Sequence, residues 1–197
     1  IKLSFLNEAL MILAITGTPG TGKTSVCKAL GLAVLDLNTV IEQRRFYTGI
    51  DTERGSFIAD LEALKEYLSQ EEKAVLIIES HLAHLLDPEV AIVLRANPTL
   101  LSTRLTQKGF PARKIAENVE AETLDIIIAE AVVLCGVVYE VDTSEKSIEE
   151  VASVVREIID AEIEGGVSRT RKTLRDCYKP GSVDWTHLVN SVFGFND

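Results

Sequence analysis

Cysteine, methionine and tryptophan are all scarce in this chain, and basic residues are outnumbered. The 3 cysteines among 197 residues, Cys27, Cys135 and Cys177, are odd in number and scattered. They form neither a disulfide framework nor a zinc-site spacing, and they suit a reducing interior, so the cytoplasm is the expected compartment. No apolar run approaches the ~20 residues that span a bilayer, so no membrane association is expected. Lys and Arg number 20 against 30 Asp and Glu, a formal charge of −10. Such a surface argues against broad nonspecific binding of nucleic acid. Hydrophobic residues at 46% and charged residues at 25% are ordinary for a globular chain, and the length suits one domain with a full core.

The lone methionine, Met11, stands directly before the first candidate strand. Residues 1–10 have a single basic residue, Lys2, and neither a long apolar core nor a small-residue cleavage pattern. They are expected to be an extension upstream of a functional start at Met11, with the kinase-like domain over 11–164.

The chain does contain Gly17-Thr18-Pro19-Gly20-Thr21-Gly22-Lys23-Thr24, which fits the phosphate-binding loop G-x-x-x-x-G-K-[ST]. An apolar run, Met11 to Thr16, precedes it as a buried strand would, and Ser25 to Leu30 can continue as a helix until Gly31. Glycines let the backbone approach the phosphates, and successive N–H groups at a helix N-terminus face the anion. Gly17, Pro19, Gly20, Thr21, Gly22, Lys23, Thr24 and Ser25 are therefore the expected ATP-binding residues. Lys23 is expected to reach the β/γ-phosphates, and the Thr24 hydroxyl to ligate Mg²⁺.

Further short strands are expected at 32–37, 74–78, 91–94 and 137–142, alternating with helices. That order predicts an α/β domain with a mostly parallel sheet. Thr39-x-x-Glu42 predicts a capped helix through about Tyr47, and Asp60 a second helix, so 39–69 reads as a helical insertion. Pro111 is expected to open one long helix carrying Ile115 through Ala131, and Ser147-x-x-Glu150 caps another. Between 165 and 180, Arg169, Arg171, Lys172, Arg175 and Lys179 face only Asp176, and 184–195 is apolar enough to dock. A tail folded back on an acidic domain is the favoured reading of 165–197, ahead of a contact for RNA or a ribosomal protein.

Glu79 and His81 follow the strand at 74–78 two residues apart, which sends both side chains to one side of an extended backbone. A carboxylate there can hold Mg²⁺ or its water, and a histidine can orient or deprotonate a nucleophilic water. His84 and His187 read as structural. Arg104 and Arg113 flank a candidate lid turn at 106–113, where closure brings cations onto phosphates. Arg95 ends a strand where ligands of open α/β sheets bind. Arg104 is the leading candidate of the three, as both catalytic and nucleotide-binding residue.

The chain resembles the short nucleoside monophosphate kinases, and among them the CINAP-type adenylate kinases in their archaeal branch. The resemblance spans Met11 to about Glu162. It rests on GTPGTGKT at 17–24, YTGIDTERGSFIADLEAL at 47–64, IIESHL at 77–82 and VLRANPTLLSTRLTQKGFPARKIAENVEAE at 93–122. It implies a five-stranded parallel sheet flanked by helices (the P-loop NTPase fold), a monophosphate-binding insertion over 38–69, and a short lid without zinc. It also implies adenylate kinase and ATPase activity on ATP and AMP, with Mg²⁺, in maturation of the small ribosomal subunit alongside a ribosomal protein and rRNA. The family's acidic-x-His element falls on Glu79 and His81, although Asp is common in place of Glu79. A basic residue that recurs early in the monophosphate helix is replaced here by Glu42, which leaves Arg44, Arg45 or Arg54 to serve the monophosphate. Asn118 also fits the family pattern, and the adenine is expected near Thr143-Ser144. Two alternatives stand beside this one: a nucleotide-switched ribosome assembly factor with incidental kinase activity, and a P-loop kinase for another small acceptor such as shikimate or gluconate.

Overall fold

The computed structural model describes residues 10–53, 55–164 and 169–194. Arg54 and residues 1–9 of the expected extension lie outside the described residues. Five parallel strands form the central sheet: β1 (Met11–Thr16), β2 (Val34–Asp36), β5 (Val75–Glu79), β6 (Val90–Arg95) and β7 (Val137–Asp142). Their order is β2-β5-β1-β6-β7, so β1 lies at the centre and the chain crosses over it between β5 and β6. The register sets Ile15 beside Glu79 and Thr16 beside Val93. The loop after β1 therefore emerges beside the C-terminal ends of both neighbours.

Both faces of the sheet are covered, which is why its strands read as continuous apolar runs. On one face Leu13 and Ile15 pack with Val26 and Leu30 of α1 (Lys23–Leu30) and with Val155 and Ile158 of α7 (Ile148–Ile163). On the other, Ala14 and Ile78 meet Leu37 and Ile41 of α2 (Leu37–Arg44) and Leu64 and Leu68 of α3 (Leu61–Ser69). Ala91 and Val93 are covered by Ile128 and Ala131 of α6 (Ile126–Leu134). The two-residue alternation along β1 assigns its side chains to opposite layers.

Three local expectations are corrected. The helix expected to start at Thr39 begins at Leu37, because the Asp36 carboxylate ending β2 accepts from Asn38 N at 2.9 Å and Thr39 N at 3.5 Å. That helix stops at Arg44, where Arg45 turns to φ 59. The insertion is not all helical: β3 (Tyr47–Asp51) and β4 (Ser56–Ala59) form an antiparallel hairpin, with the Tyr47 and Phe57 rings stacked at 4.4 Å. The long helix from Pro111 is two helices, α5 (Ala112–Thr123) and α6, broken at Asp125 with φ 58. Asp125 leaves helical geometry there and pairs with the Arg95 guanidinium.

The expected caps at Asp60 and Ser147 are present, the second as a reciprocal box of 3.1 and 2.8 Å with Glu150. Beyond α7, α8 (Arg169–Cys177) lies against it, with Leu174 buried and Arg175 donating two 2.8 Å hydrogen bonds to Glu162. The Glu140 amide of β7 donates to the Tyr178 carbonyl at 2.7 Å. Trp185 is buried, and α9 (Val189–Phe193) packs on α5.

Candidate nucleotide-binding site

The phosphate loop joins β1 to α1, and its first glycine is required sterically. Gly17 adopts φ 133, and a Cβ there would lie 2.2 Å from the Leu94 carbonyl oxygen. The loop thus lies directly against β6, which only a residue without a side chain permits. Lys23 returns over the loop: its buried ammonium donates to the carbonyls of Gly17 at 2.7 Å and Thr18 at 3.2 Å. Burial pushes the Lys23 pKa down to about 8, against the pull of Glu79 and Glu122. Most of its charge survives at neutral pH and is directed into the loop.

Glu79 ends β5 and is 3% exposed. Burial raises its pKa, Lys23 opposes the rise, and Asp36 adds to it. The Thr24 hydroxyl donates to it at 3.2 Å. A buried carboxylate meeting a loop hydroxyl gives two hard oxygen donors on one side of the phosphate position. Among the described residues no group of three or more His, Cys, Asp or Glu converges on a point. This donor set fits Mg²⁺, which takes one or two protein oxygens and completes its shell with phosphate and water.

His81 leaves the same strand end and is half-buried. Burial, then the Lys23, His84 and Lys114 charges, push its pKa down to about 4. It is a neutral imidazole at physiological pH. Lys23, Thr24, Glu79 and His81 line one cavity of about 240 Å³, together with Asn38, Lys108 and Phe110. Pro19, Gly20, Gly22 and Ser25 complete its loop side.

A second cavity, of about 260 Å³, opens beyond Gly20, Thr21, Gly22 and Ser25 toward Thr143 and Ser147. Val26, Ile148 and Val151 give it an apolar side suited to a planar base. Arg104, from α4 (Pro98–Gln107), forms its wall and donates to the Thr143 hydroxyl and carbonyl, both at 3.2 Å. Thr143 in turn donates to the Thr21 carbonyl at 3.0 Å. Arg104 is thereby tied through Thr143 to the Thr21 backbone of the loop.

Lys108 borders both cavities, a position that sequence reading missed. The signal for it in the sequence is a cation beside Gly109 within the candidate lid turn at 106–113. Of the other basic candidates, Arg95, Arg113 and Arg44 are engaged elsewhere. Arg95 is 2% exposed and pairs with Glu122 at 2.7 Å and with Asp125 and Glu140. Arg113 is an exposed partner of Glu53 at 3.0 Å and Glu117 at 3.1 Å. Arg44 lies 5.5 Å over the Tyr67 ring. The Asn118 amide donates to the Lys114 carbonyl at 2.6 Å. His84 is buried, with its ring nitrogens 3.1 Å from Thr16 Oγ1 and 2.9 Å from Glu130 Oε2, as a structural histidine requires.

Residues 13–125 match the AAA domain family, a span that contains every residue of the first cavity. A Methanosarcina barkeri protein named "Putative adenylate kinase" is 42% identical over 187 residues, covering 91% of this chain and 100% of that protein. Its Archaeoglobus fulgidus namesake is 43% identical over 176 residues, covering 89% and 92%. The chain belongs to this family. Its fold is that of the P-loop kinases more broadly. Shikimate kinase from Acinetobacter baumannii superposes with a TM-score of 0.55 at 15% identity, over 79% of this chain and 96% of that one. The enzyme from Bacteroides thetaiotaomicron gives 0.51 at 19%, over 76% and 98%. No helix among the described residues is long and apolar enough to cross a membrane.

Proposed function

We propose that this chain is an adenylate kinase that moves the γ-phosphoryl of ATP to AMP and also, more slowly, to water. The observation that carries this reading is the first cavity. It places a cation, two oxygen donors and a neutral imidazole between the phosphate loop and the start of the insertion at Asn38. The name shared by relatives aligned over nearly their whole length supports the acceptor. Phosphoryl transfer is catalysed chiefly by positioning and by neutralising charge on the transferred group. Lys23 supplies a point charge at the loop. Thr24 and Glu79 would hold Mg²⁺, which supplies charge neutralisation at the phosphate oxygens.

His81 has a narrower role than general base. A group whose pKa lies near 4 takes a proton poorly at pH 7, so it accepts a hydrogen bond and orients the water or acceptor oxygen. Arg104 and the cavity behind it hold the base, while Lys108 in the lid turn serves both halves of the nucleotide.

The test is turnover of Mg·ATP with AMP, CMP, shikimate or water as acceptor, run in parallel. AMP is expected to give the fastest turnover, with ADP formed from both nucleotides, and Lys23→Ala to abolish all of it. Turnover unchanged by AMP, or greatest with shikimate, defeats the assignment. The role in ribosomal subunit maturation rests on the family resemblance, and is tested by co-purification of a small-subunit protein with rRNA.

A further inference from the structure

Thr18 is held through both its carbonyl and its hydroxyl by buried groups. Its carbonyl accepts from Lys23 Nζ at 3.2 Å and from the Thr21 hydroxyl at 2.9 Å. Its own hydroxyl donates to Glu122 Oε2 at 2.5 Å. The other Glu122 oxygen accepts from Arg95 Nε at 2.7 Å and Ala96 N at 3.0 Å. The same guanidinium pairs with Glu140 Oε1. Glu140 Oε2 then accepts the backbone N–H groups of Ser182 at 2.9 Å and Val183 at 3.2 Å, both in the C-terminal segment after α8.

Glu122 and Glu140 are 2% and 1% exposed, so water cannot replace a lost partner. Each of their oxygens is already engaged, and an amide in place of either carboxylate would turn a donor toward a donor. A displaced tail therefore leaves Glu140 short of donors, and Arg95 and Glu122 must readjust. The load falls on Thr18, whose carbonyl helps position the Lys23 ammonium.

We propose that the C-terminal segment is a positioning element of the phosphate loop, acting through Glu140, Arg95 and Glu122 on Thr18. This rests on the nucleotide-binding part of the reading above and not on the identity of the acceptor. A double-mutant cycle on ATP affinity, measured by calorimetry with the full chain, tests it. Thr18→Val is expected to weaken ATP binding about tenfold, which is about 1.4 kcal/mol. Glu140→Gln is expected to weaken it several-fold, although Glu140 lines neither of the two cavities. The double variant is expected to match Thr18→Val alone, because without the hydroxyl the relay has no end. KM for AMP should stay within a factor of two throughout, which separates positioning from general loosening of the fold.

Multiplicative losses in the double variant, or wild-type affinity in Glu140→Gln, overturn the proposal. Should Glu140→Gln fail to fold, Ser182→Pro, which removes the N–H and the hydroxyl that Ser182 offers to Glu140 Oε2 and leaves the buried charges intact, takes its place with the same expectations. ATP binding without transfer to AMP sinks the kinase assignment and leaves the relay standing. A chain that binds no ATP sinks both.

Discussion

Replacing Gly17 and Gly22 by alanine, one at a time, separates two reasons for glycine that the loop motif merges. Gly17 has φ 133 and Gly22 has φ 104. Either conformation costs an alanine of order 1–3 kcal/mol. Their surroundings differ: a Cβ on Gly17 meets the Leu94 carbonyl oxygen at 2.2 Å, whereas nothing lies within 4 Å of one on Gly22. Ordinary contacts begin near ~3.5 Å, so in Gly17→Ala the loop must retreat from β6 by roughly 1 Å. Overpacking of this kind adds about 1–3 kcal/mol. At roughly 2–4 °C per kcal/mol for a chain of this size, Gly17→Ala should melt several degrees below Gly22→Ala. Misplacing the loop by that distance should also cost on the order of 10²-fold in turnover. Thermal unfolding by circular dichroism and initial-rate kinetics on both variants supply the comparison. Equal melting temperatures and equal turnover would refute the reasoning, since the approach to Leu94 would then contribute nothing beyond the dihedral cost.

The two histidines near the site should respond differently. His81→Ala is expected to lower ATP hydrolysis at least tenfold with ATP affinity nearly unchanged, whereas His84→Ala leaves the Thr16 hydroxyl without a buried partner and should cost about 1–3 kcal/mol of stability; kinetics and urea unfolding on each distinguish them. Arg104→Ala is expected to raise KM for ATP about tenfold with less effect on kcat, read from steady-state curves at saturating AMP. Docking of the tail should fail in acid. Burial raises the Glu162 pKa, but the Arg175 guanidinium and Tyr139 hydroxyl outweigh it and leave the carboxyl below its ordinary value. Its contribution is therefore complete above about pH 4.3 and is lost as pH falls through the depressed folded value. The fluorescence of Trp185, the only tryptophan, should shift to the red over that window, and already at neutral pH in Glu162→Gln; a spectrum unmoved by the substitution counts against the ion pair as the anchor.

The phosphate loop, the five sheet strands and the Asp60 and Ser147 caps were legible because each is written in adjacent residues. The hairpin at 47–59 is also written locally, in Tyr47, Thr48 and Ile50 set against Phe57 and Ile58 around a polar turn, a β-rich pattern that runs against the expectation of a helical insertion. Other features had no local signature. The break at Asp125 and the capture of Arg95 belong together, since the guanidinium draws in carboxylates 27, 30 and 45 residues away in sequence. A strand-end arginine in this fold ordinarily suggests a ligand. Only the placement of Glu122 and Glu140 shows that this one is committed to the protein interior. The double role of Lys108 depends in the same way on how α4 meets the loop.

The contact between the Tyr178 carbonyl and the Glu140 amide also bears on how copies of this protein behave at high concentration. An outer strand with open N–H groups is a template for pairing with another molecule. The sheet has two outer strands. β2 is only 3 residues long, too short to recruit a partner readily. β7 has 6, and the segment after α8 already occupies one of its amides at 2.7 Å. A chain shortened before Tyr178 would uncover a longer edge, and solubility would then become a property of the tail.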